Sequence, residues 1–105
     1  MLEVTDETFA AEVLGAEKPV VVDFWAPWCS PCKAVGKALE ELEAEHGDQV
    51  AFATVNIDDH PLNAATHGVL SLPTVILFEG GQARQSVVGA RPRAHFEKQF
   101  APWLG

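Results

Sequence analysis

The sequence is poor in basic residues. Only seven lysine and arginine residues occur among 105, no stretch gathers them, and the formal net charge is −8. A surface that binds nucleic acid irrespective of its sequence needs clustered lysine and arginine. We therefore expect no nucleic-acid partner, and the acidity is accounted for by solubility.

Long apolar runs are missing as well. No stretch approaches the roughly 20 residues that cross a bilayer. The first six residues, MLEVTD, have neither the basic start nor the apolar core of a secretory signal. We therefore expect a cytoplasmic protein that does not associate with membranes. A chain of 105 residues has room for one domain, residues 1–105, and we expect it to be a monomer.

Short apolar runs alternate with segments of period 3.6, which predicts an α/β fold in the order βαβαβαββα. The run over 19–25 is apolar on both faces, as is typical of a central parallel strand. Gly80-Gly81 predicts a tight turn between two antiparallel strands. The predicted strands cover 2–5, 19–25, 51–57, 74–78 and 82–88. The predicted helices lie between a cap at Thr5 or Asp6 and Gly15, between Pro31 and Gly47, over 61–67, and from Pro92 onward, with Pro102 ending or kinking the last one.

Cys29 and Cys32 are the only cysteines in the chain, and their spacing allows three interpretations. A structural disulfide that closes so short a loop stabilises the fold by only about 2 kcal/mol. A closed zinc site needs four ligands, and the four histidines are scattered, so we expect no metal. The pair follows a buried strand and begins a helix, where residues i and i+3 are within disulfide reach. This context favours a redox-active pair.

The two cysteines are expected to have different roles. Cys29 precedes the helix, where unpaired N–H groups and the helix dipole stabilise a thiolate. Cys32 lies one turn inside the helix, and we expect it to be more buried than the exposed Cys29 and to stay protonated. Cys29 would then attack a substrate disulfide, and Cys32 would displace the reduced substrate from the mixed disulfide. Pro31 makes the intervening turn rigid, and Trp28 supplies an apolar wall beside the nucleophile.

Asp23 interrupts the apolar run that precedes the cysteines. If its carboxyl is buried, its pKa is raised, and it could relay a proton to or from Cys32. Alternatively, the side chain reaches solvent from an edge strand or caps the local backbone.

Five motifs together resemble the thioredoxin family, and the similarity is collinear from Leu2 to Leu104. It implies the thioredoxin fold, with a central mixed β-sheet and helices on both faces. It also implies cytoplasmic reduction of disulfide-containing protein substrates. No cofactor would be bound, and electrons would come from NADPH through a flavoprotein thioredoxin reductase. The motifs are Val22-Asp23-Phe24-Trp25-Ala26, Trp28-Cys29-x-Pro31-Cys32-Lys33, Asn56-Ile57-Asp58, Leu72-Pro73-Thr74 and Val88-Gly89-Ala90.

The resemblance further implies a cis peptide bond between Leu72 and Pro73, facing the cysteines, although a trans proline at a strand start is sterically acceptable. A substrate chain would pair with this backbone. Gly89 would leave room for that chain, although a strand bulge also accounts for a glycine there. The implied substrate-binding residues are Trp28, Ser30, Pro31, Leu72, Pro73, Gly89 and Ala90.

The chain departs from the family pattern at four positions. Ser30 replaces a glycine between the cysteines, and Thr54 replaces a lysine that pairs with the buried aspartate, which should leave Asp23 more easily protonated. Lys37 replaces a helix-kinking proline, so the long helix is expected to run straighter, and Pro102 is expected to shorten the last helix. Two alternative functions remain: a disulfide oxidase or isomerase, and a non-catalytic binding or chaperone module.

Overall fold

The computed structural model describes all 105 residues and confirms the predicted α/β class and order of elements. None of its helices is both long and apolar enough to cross a bilayer. The elements in chain order are β1 (Leu2–Glu3), a π-helical segment (Ala10–Leu14), β2 (Val20–Trp25), α1 (Ser30–His46), β3 (Ala51–Asn56), α2 (Leu62–Thr66), β4 (Thr74–Glu79), β5 (Gln82–Val88) and α3 (Arg93–Leu104).

The five strands form one mixed sheet in the order β1-β3-β2-β4-β5. Strand β3 runs parallel to both β1 and β2, whereas β4 is antiparallel to β2 and β5 is antiparallel to β4. The predicted central position of β2 is confirmed, because it pairs with β3 along one edge and with β4 along the other. The predicted hairpin is also confirmed. Gly80 and Gly81 have φ values of +59° and +80°, the left-handed conformations that favour glycine in such turns.

Helices cover both faces of the sheet, and each face has its own hydrophobic core. Helices α1 and α3 contribute to a cluster of 12 buried residues, which includes Val21 of β2. The π-helical segment and α2 cover the other face through a cluster of 11, which includes Val20, Val22 and Phe24. Because side chains alternate along a strand, Asp23 lies on the same face as Val21, beneath α1.

The first helix differs from the predicted α-helix. It is a π-helical segment over Ala10–Leu14, and the N–H of Gly15 donates to the carbonyl of Ala10, five residues back, at 2.8 Å. Thr5 caps the turn that leads into this segment, since the N–H of Thr8 donates to its Oγ1 at 3.1 Å and its own N–H donates to Thr8 Oγ1 at 2.9 Å. Asp6 instead accepts from the N–H of Leu62 at 3.2 Å, at the start of α2.

The expectation that Pro102 ends the last helix is wrong. Helix α3 continues through Pro102 to Leu104. A proline there removes one hydrogen bond in the final turn only. Packing holds that turn in place, because Leu104 is buried in the cluster beneath α1 and Trp103 packs against the same cluster. Helix α1 runs without interruption from Ser30 to His46, past Lys37.

Candidate active site

The cysteine pair lies at the junction between β2 and α1. The chain leaves β2 at Trp25 and turns sharply, with the N–H of Cys29 donating to the carbonyl of Ala26 at 3.0 Å. Cys29 occupies the N-cap position of α1, and Pro31 stands in the first turn, where its missing N–H costs no hydrogen bond. A disulfide joins Cys29 to Cys32, whose Cα atoms are 5.4 Å apart.

The expected difference in burial between the two cysteines is wrong in this disulfide-bonded state. Cys29 is 5% exposed and Cys32 is 4% exposed. Both cysteines are buried because the pair packs with Ala26, and Leu72 and Ile57 pack against this small cluster. The two cysteines therefore differ in their position relative to helix α1 and not in their burial. Cys29 caps the helix at the positive end of its dipole, whereas Cys32 lies within the first turn.

Asp23 is buried in the middle of the sheet, with only 2% of its surface exposed. It is in register with Thr54 of β3 on one side and with Val75 of β4 on the other, so the edge-strand interpretation is wrong. The capping interpretation is wrong too, because Oδ1 accepts no hydrogen bond from the protein. Burial raises the pKa of the Asp23 carboxyl from 3.8 to about 7, since desolvation disfavours the charged form.

A cavity of about 440 Å³ connects this carboxyl with the disulfide. Asp23, Cys29 and Cys32 all line it, together with Gly36 of α1 and Thr54 of β3. Thr54 stands where the family pattern has a lysine, so no cation extends from β3 toward the carboxyl. The arrangement places a carboxyl that titrates near neutrality and two sulfurs around one space that opens to solvent.

The Leu72–Pro73 peptide bond is cis, as the family resemblance implies. Leu72 packs against the cluster that contains both cysteines, so this turn faces them. The carbonyl of Pro73 accepts from the N–H of Gly89 at 2.9 Å, which fixes the end of β5 beside the turn. Gly89 has a φ of +99°, and a Cβ built on it would meet no atom within 4 Å. The strand-bulge interpretation is wrong, since Gly89 follows β5 and the register shift lies between Leu77 and Phe78.

Trp28 is the most prominent exposed side chain of the site, with 68% of its surface accessible. Its indole Nε1–H donates to Asp58 Oδ1 at 3.0 Å, and the N–H of Asp58 donates to Asn56 Oδ1 at 3.0 Å. In the sequence, Asn56 and Asp58 stand out only as part of a family motif, and nothing there connects them with Trp28. An Asn-x-Asp sequence after a strand does signal a local side-chain turn. It does not signal which distant side chain the carboxylate will bind.

Comparison with known proteins agrees with this geometry. A family model described as Thioredoxin matches residues 1–101. The thioredoxin of Streptomyces clavuligerus is 50% identical over 91 residues, which cover 87% of this chain and 84% of that protein. The thioredoxin of Mycolicibacterium smegmatis is 50% identical over 103 residues, or 96% and 92% of the two chains. The bifunctional thioredoxin reductase/thioredoxin of Mycobacterium leprae is 48% identical over 93 residues, which cover 89% of this chain and 20% of that protein.

Three independent observations therefore coincide. The sheet order and flanking helices have the expected architecture, a Cys-x-x-Cys disulfide caps the helix that follows the central strand, and the family model spans nearly the whole chain. The chain belongs to the thioredoxin family and is a thiol–disulfide oxidoreductase that reduces protein disulfides by dithiol–disulfide exchange through Cys29 and Cys32.

Proposed function

We propose that the whole chain acts as one domain in which Cys29 is the nucleophile and Cys32 the resolving thiol. The observation that carries this assignment is the N-cap position of Cys29. The Cys29 thiolate attacks one sulfur of a substrate disulfide and forms a mixed disulfide, and the other substrate sulfur leaves as a thiolate. The Cys32 sulfur then attacks Cys29, which releases the second substrate sulfur and closes the Cys29–Cys32 disulfide. Two electrons and two protons pass to the substrate.

In this scheme, Asp23 takes the proton from Cys32 as Cys32 becomes a nucleophile. The carboxyl and Cys32 line the same cavity, which provides a path through water. A pKa of about 7 suits the task, because a base near the ambient pH is both available to accept a proton and able to release it.

The substrate chain binds across the surface beside the disulfide. Its extended backbone pairs with the cis turn at Leu72 and Pro73, next to the open space at Gly89. The exposed indole of Trp28 provides an apolar contact whose polar edge is held by Asp58. The proposed binding residues are Trp28, Ser30, Pro31, Leu72, Pro73, Gly89 and Ala90.

Asp58→Ala should weaken substrate binding more than it slows the chemistry. The substitution removes the acceptor of the Trp28 indole N–H, so the ring samples other rotamers and loses part of its fixed contact area. We expect KM for a protein disulfide to rise about three- to tenfold, with kcat nearly unchanged. Asp48→Ala is the matched control, since it removes the same charge at an exposed position beyond the C-terminal end of α1, the opposite end from Trp28. Equal KM values for both variants would contradict the positioning of Trp28 by Asp58.

The electrons come from NADPH through a flavoprotein thioredoxin reductase, and the protein acts in the cytoplasm as a monomer. The Mycobacterium leprae relative, whose name joins thioredoxin reductase with thioredoxin, supports this partnership. The negative net charge fits a soluble protein, and the two cysteines are enough to carry one pair of electrons between a reductase and a substrate.

The proposed function is tested by reduction of insulin disulfides with NADPH and a bacterial thioredoxin reductase. We expect NADPH oxidation that requires both the reductase and this protein. Insulin should precipitate in the same reactions, as its disulfides are reduced. A parallel reaction with dithiothreitol separates the two parts of the proposal. Turnover with dithiothreitol alone would refute the reductase partnership, and no turnover with either would refute the proposed substrate class. A potential of about −120 to −180 mV against glutathione would favour an oxidase or isomerase instead.

A further inference from the structure

Gly36 lies in the interior of α1 and faces the buried carboxyl of Asp23. A Cβ built on Gly36 would lie 3.8 Å from Asp23 Oδ2, with no other atom as a close neighbour. Gly36 also lines the cavity that joins Asp23 to the two cysteines. Because Gly36 has no side chain, α1 packs next to the carboxyl at this position without covering it.

Neither backbone conformation nor crowding requires a glycine at this position. Gly36 is not among the glycines with positive φ, and a contact of 3.8 Å is ordinary van der Waals packing. A glycine inside a helix costs about 1 kcal/mol relative to alanine. What the glycine does provide is open space beside Oδ2 of the one buried carboxyl of the molecule, while Oδ1 is enclosed by the protein and has no donor there.

We propose that Gly36 is a positioning residue for proton transfer, because its missing side chain keeps water in contact with the Asp23 carboxyl. The inference rests on the proposed role of Asp23 as the proton acceptor for Cys32. A cavity of about 440 Å³ is large enough for several waters, each of which occupies about 30 Å³ in the liquid. These waters hydrogen-bond to the carboxyl and give its proton a route to solvent.

Few charged groups line the cavity beside this contact. Lys33 and Glu40 of α1 are the charged side chains that line the cavity, and both are exposed. Strand β3 contributes Thr54, and the neighbour of Asp23 on β4 is the apolar Val75. The remaining groups are the two cysteines, which titrate only when the disulfide is reduced, and the amino group of Met1, which forms an ion pair with Glu43.

Two small substitutions of Gly36 should move the titration of Asp23 in opposite directions. In Gly36→Ala, a methyl group takes the place of water and desolvates the carboxyl further, so the pKa of Asp23 rises. In Gly36→Ser, the hydroxyl can donate to Oδ2 and stabilise the charged form, so the pKa falls relative to that in Gly36→Ala and in the unchanged protein. We expect the acid dissociation constant to change about threefold in each direction.

The experiment follows the carboxyl carbon of Asp23 by ¹³C NMR in the reduced full-length protein, and the rate of mixed-disulfide resolution over the same pH range. The midpoint of the rate profile should shift with the NMR midpoint in both variants. Ala34→Gly is the matched control, since it changes helix propensity at an exposed position of α1 outside the cavity and should leave the midpoint unchanged.

Midpoints that stay unchanged, or that move in the same direction in both Gly36 variants, would overturn the inference. An effect on helix stability alone would change the free energy of unfolding without separating alanine from serine in this way. Failure of the proposed Asp23 role gives a different result: Asp23→Asn would leave resolution unaffected at every pH, whatever the NMR midpoints of the Gly36 variants.

Discussion

Asp23→Asn is expected to increase the free energy of unfolding by about 3 to 4 kcal/mol at pH 8 and to leave it nearly unchanged at pH 4. The carboxyl has a pKa of about 7 in the folded protein, against 3.8 for an exposed aspartate. A raised folded-state pKa means that the folded chain binds the proton more tightly, so stability is lost as the pH rises from about 4 to about 7. The shift of the Asp23 pKa from 3.8 to about 7 corresponds to a loss of about 4 kcal/mol at most in the free energy of unfolding. Asparagine keeps the shape of the side chain and cannot ionise.

Urea unfolding of the oxidised protein at pH 4, 6 and 8 measures this difference directly. The gap between Asp23→Asn and the unchanged protein should widen steadily across the three pH values. Asp59→Asn is the control, because Asp59 is exposed and its loss should leave the pH dependence of stability unchanged. A gain of equal size at all three pH values would show that the charge of Asp23 is not the cause, and a loss of stability at pH 8 would contradict the burial argument altogether.

The central parts of the fold and site were accessible from sequence because they follow from short patterns. The apolar run ending at Trp25 predicted a strand with neighbours on both edges, and β2 has them. An aspartate inside that run suggested a buried carboxyl with an edge-strand or capping position as the alternative, and the structure has it buried. A Cys-x-x-Cys pair with proline in the first helical turn predicted a redox-active pair at a helix N-terminus, within disulfide reach, and the structure has the pair there as a disulfide.

The features that sequence did not predict depend on contacts between distant segments. Cys29 is buried in a small cluster against which Ile57 and Leu72 pack, and Leu72 is more than 40 residues further along the chain. Asp6 looked like a cap for the first helix but binds the start of α2, which is 56 residues away. Helix α3 passes Pro102 because Leu104 is buried in the core cluster that α1 and α3 share, and this tertiary packing outweighs the local preference for a helix end. The position of Gly36 opposite Asp23 likewise requires the packing of α1 onto β2.

Cys29→Ser and Cys32→Ser should both abolish turnover, but only Cys32→Ser should trap the substrate. A serine hydroxyl is not ionised at neutral pH, so it cannot replace the Cys29 thiolate, and disulfide reduction should fall by about a thousandfold or more. In Cys32→Ser, the attack by Cys29 remains, but the sulfur that closes the intramolecular disulfide is gone. The mixed disulfide should therefore accumulate to nearly one equivalent of protein.

Mass spectrometry of the reduced variants, mixed with a disulfide-containing protein and quenched in acid, distinguishes these outcomes. Ser30→Ala is the matched control, since it alters a hydroxyl between the cysteines and leaves both sulfurs in place; it should turn over without accumulating an adduct. A trapped adduct in Cys29→Ser instead of Cys32→Ser would reverse the assigned roles. Unimpaired activity in Cys29→Ser would mean that the protein works through its binding surface without exchange. The N-cap position of Cys29, rather than any difference in burial, is what predicts the adduct at Cys29.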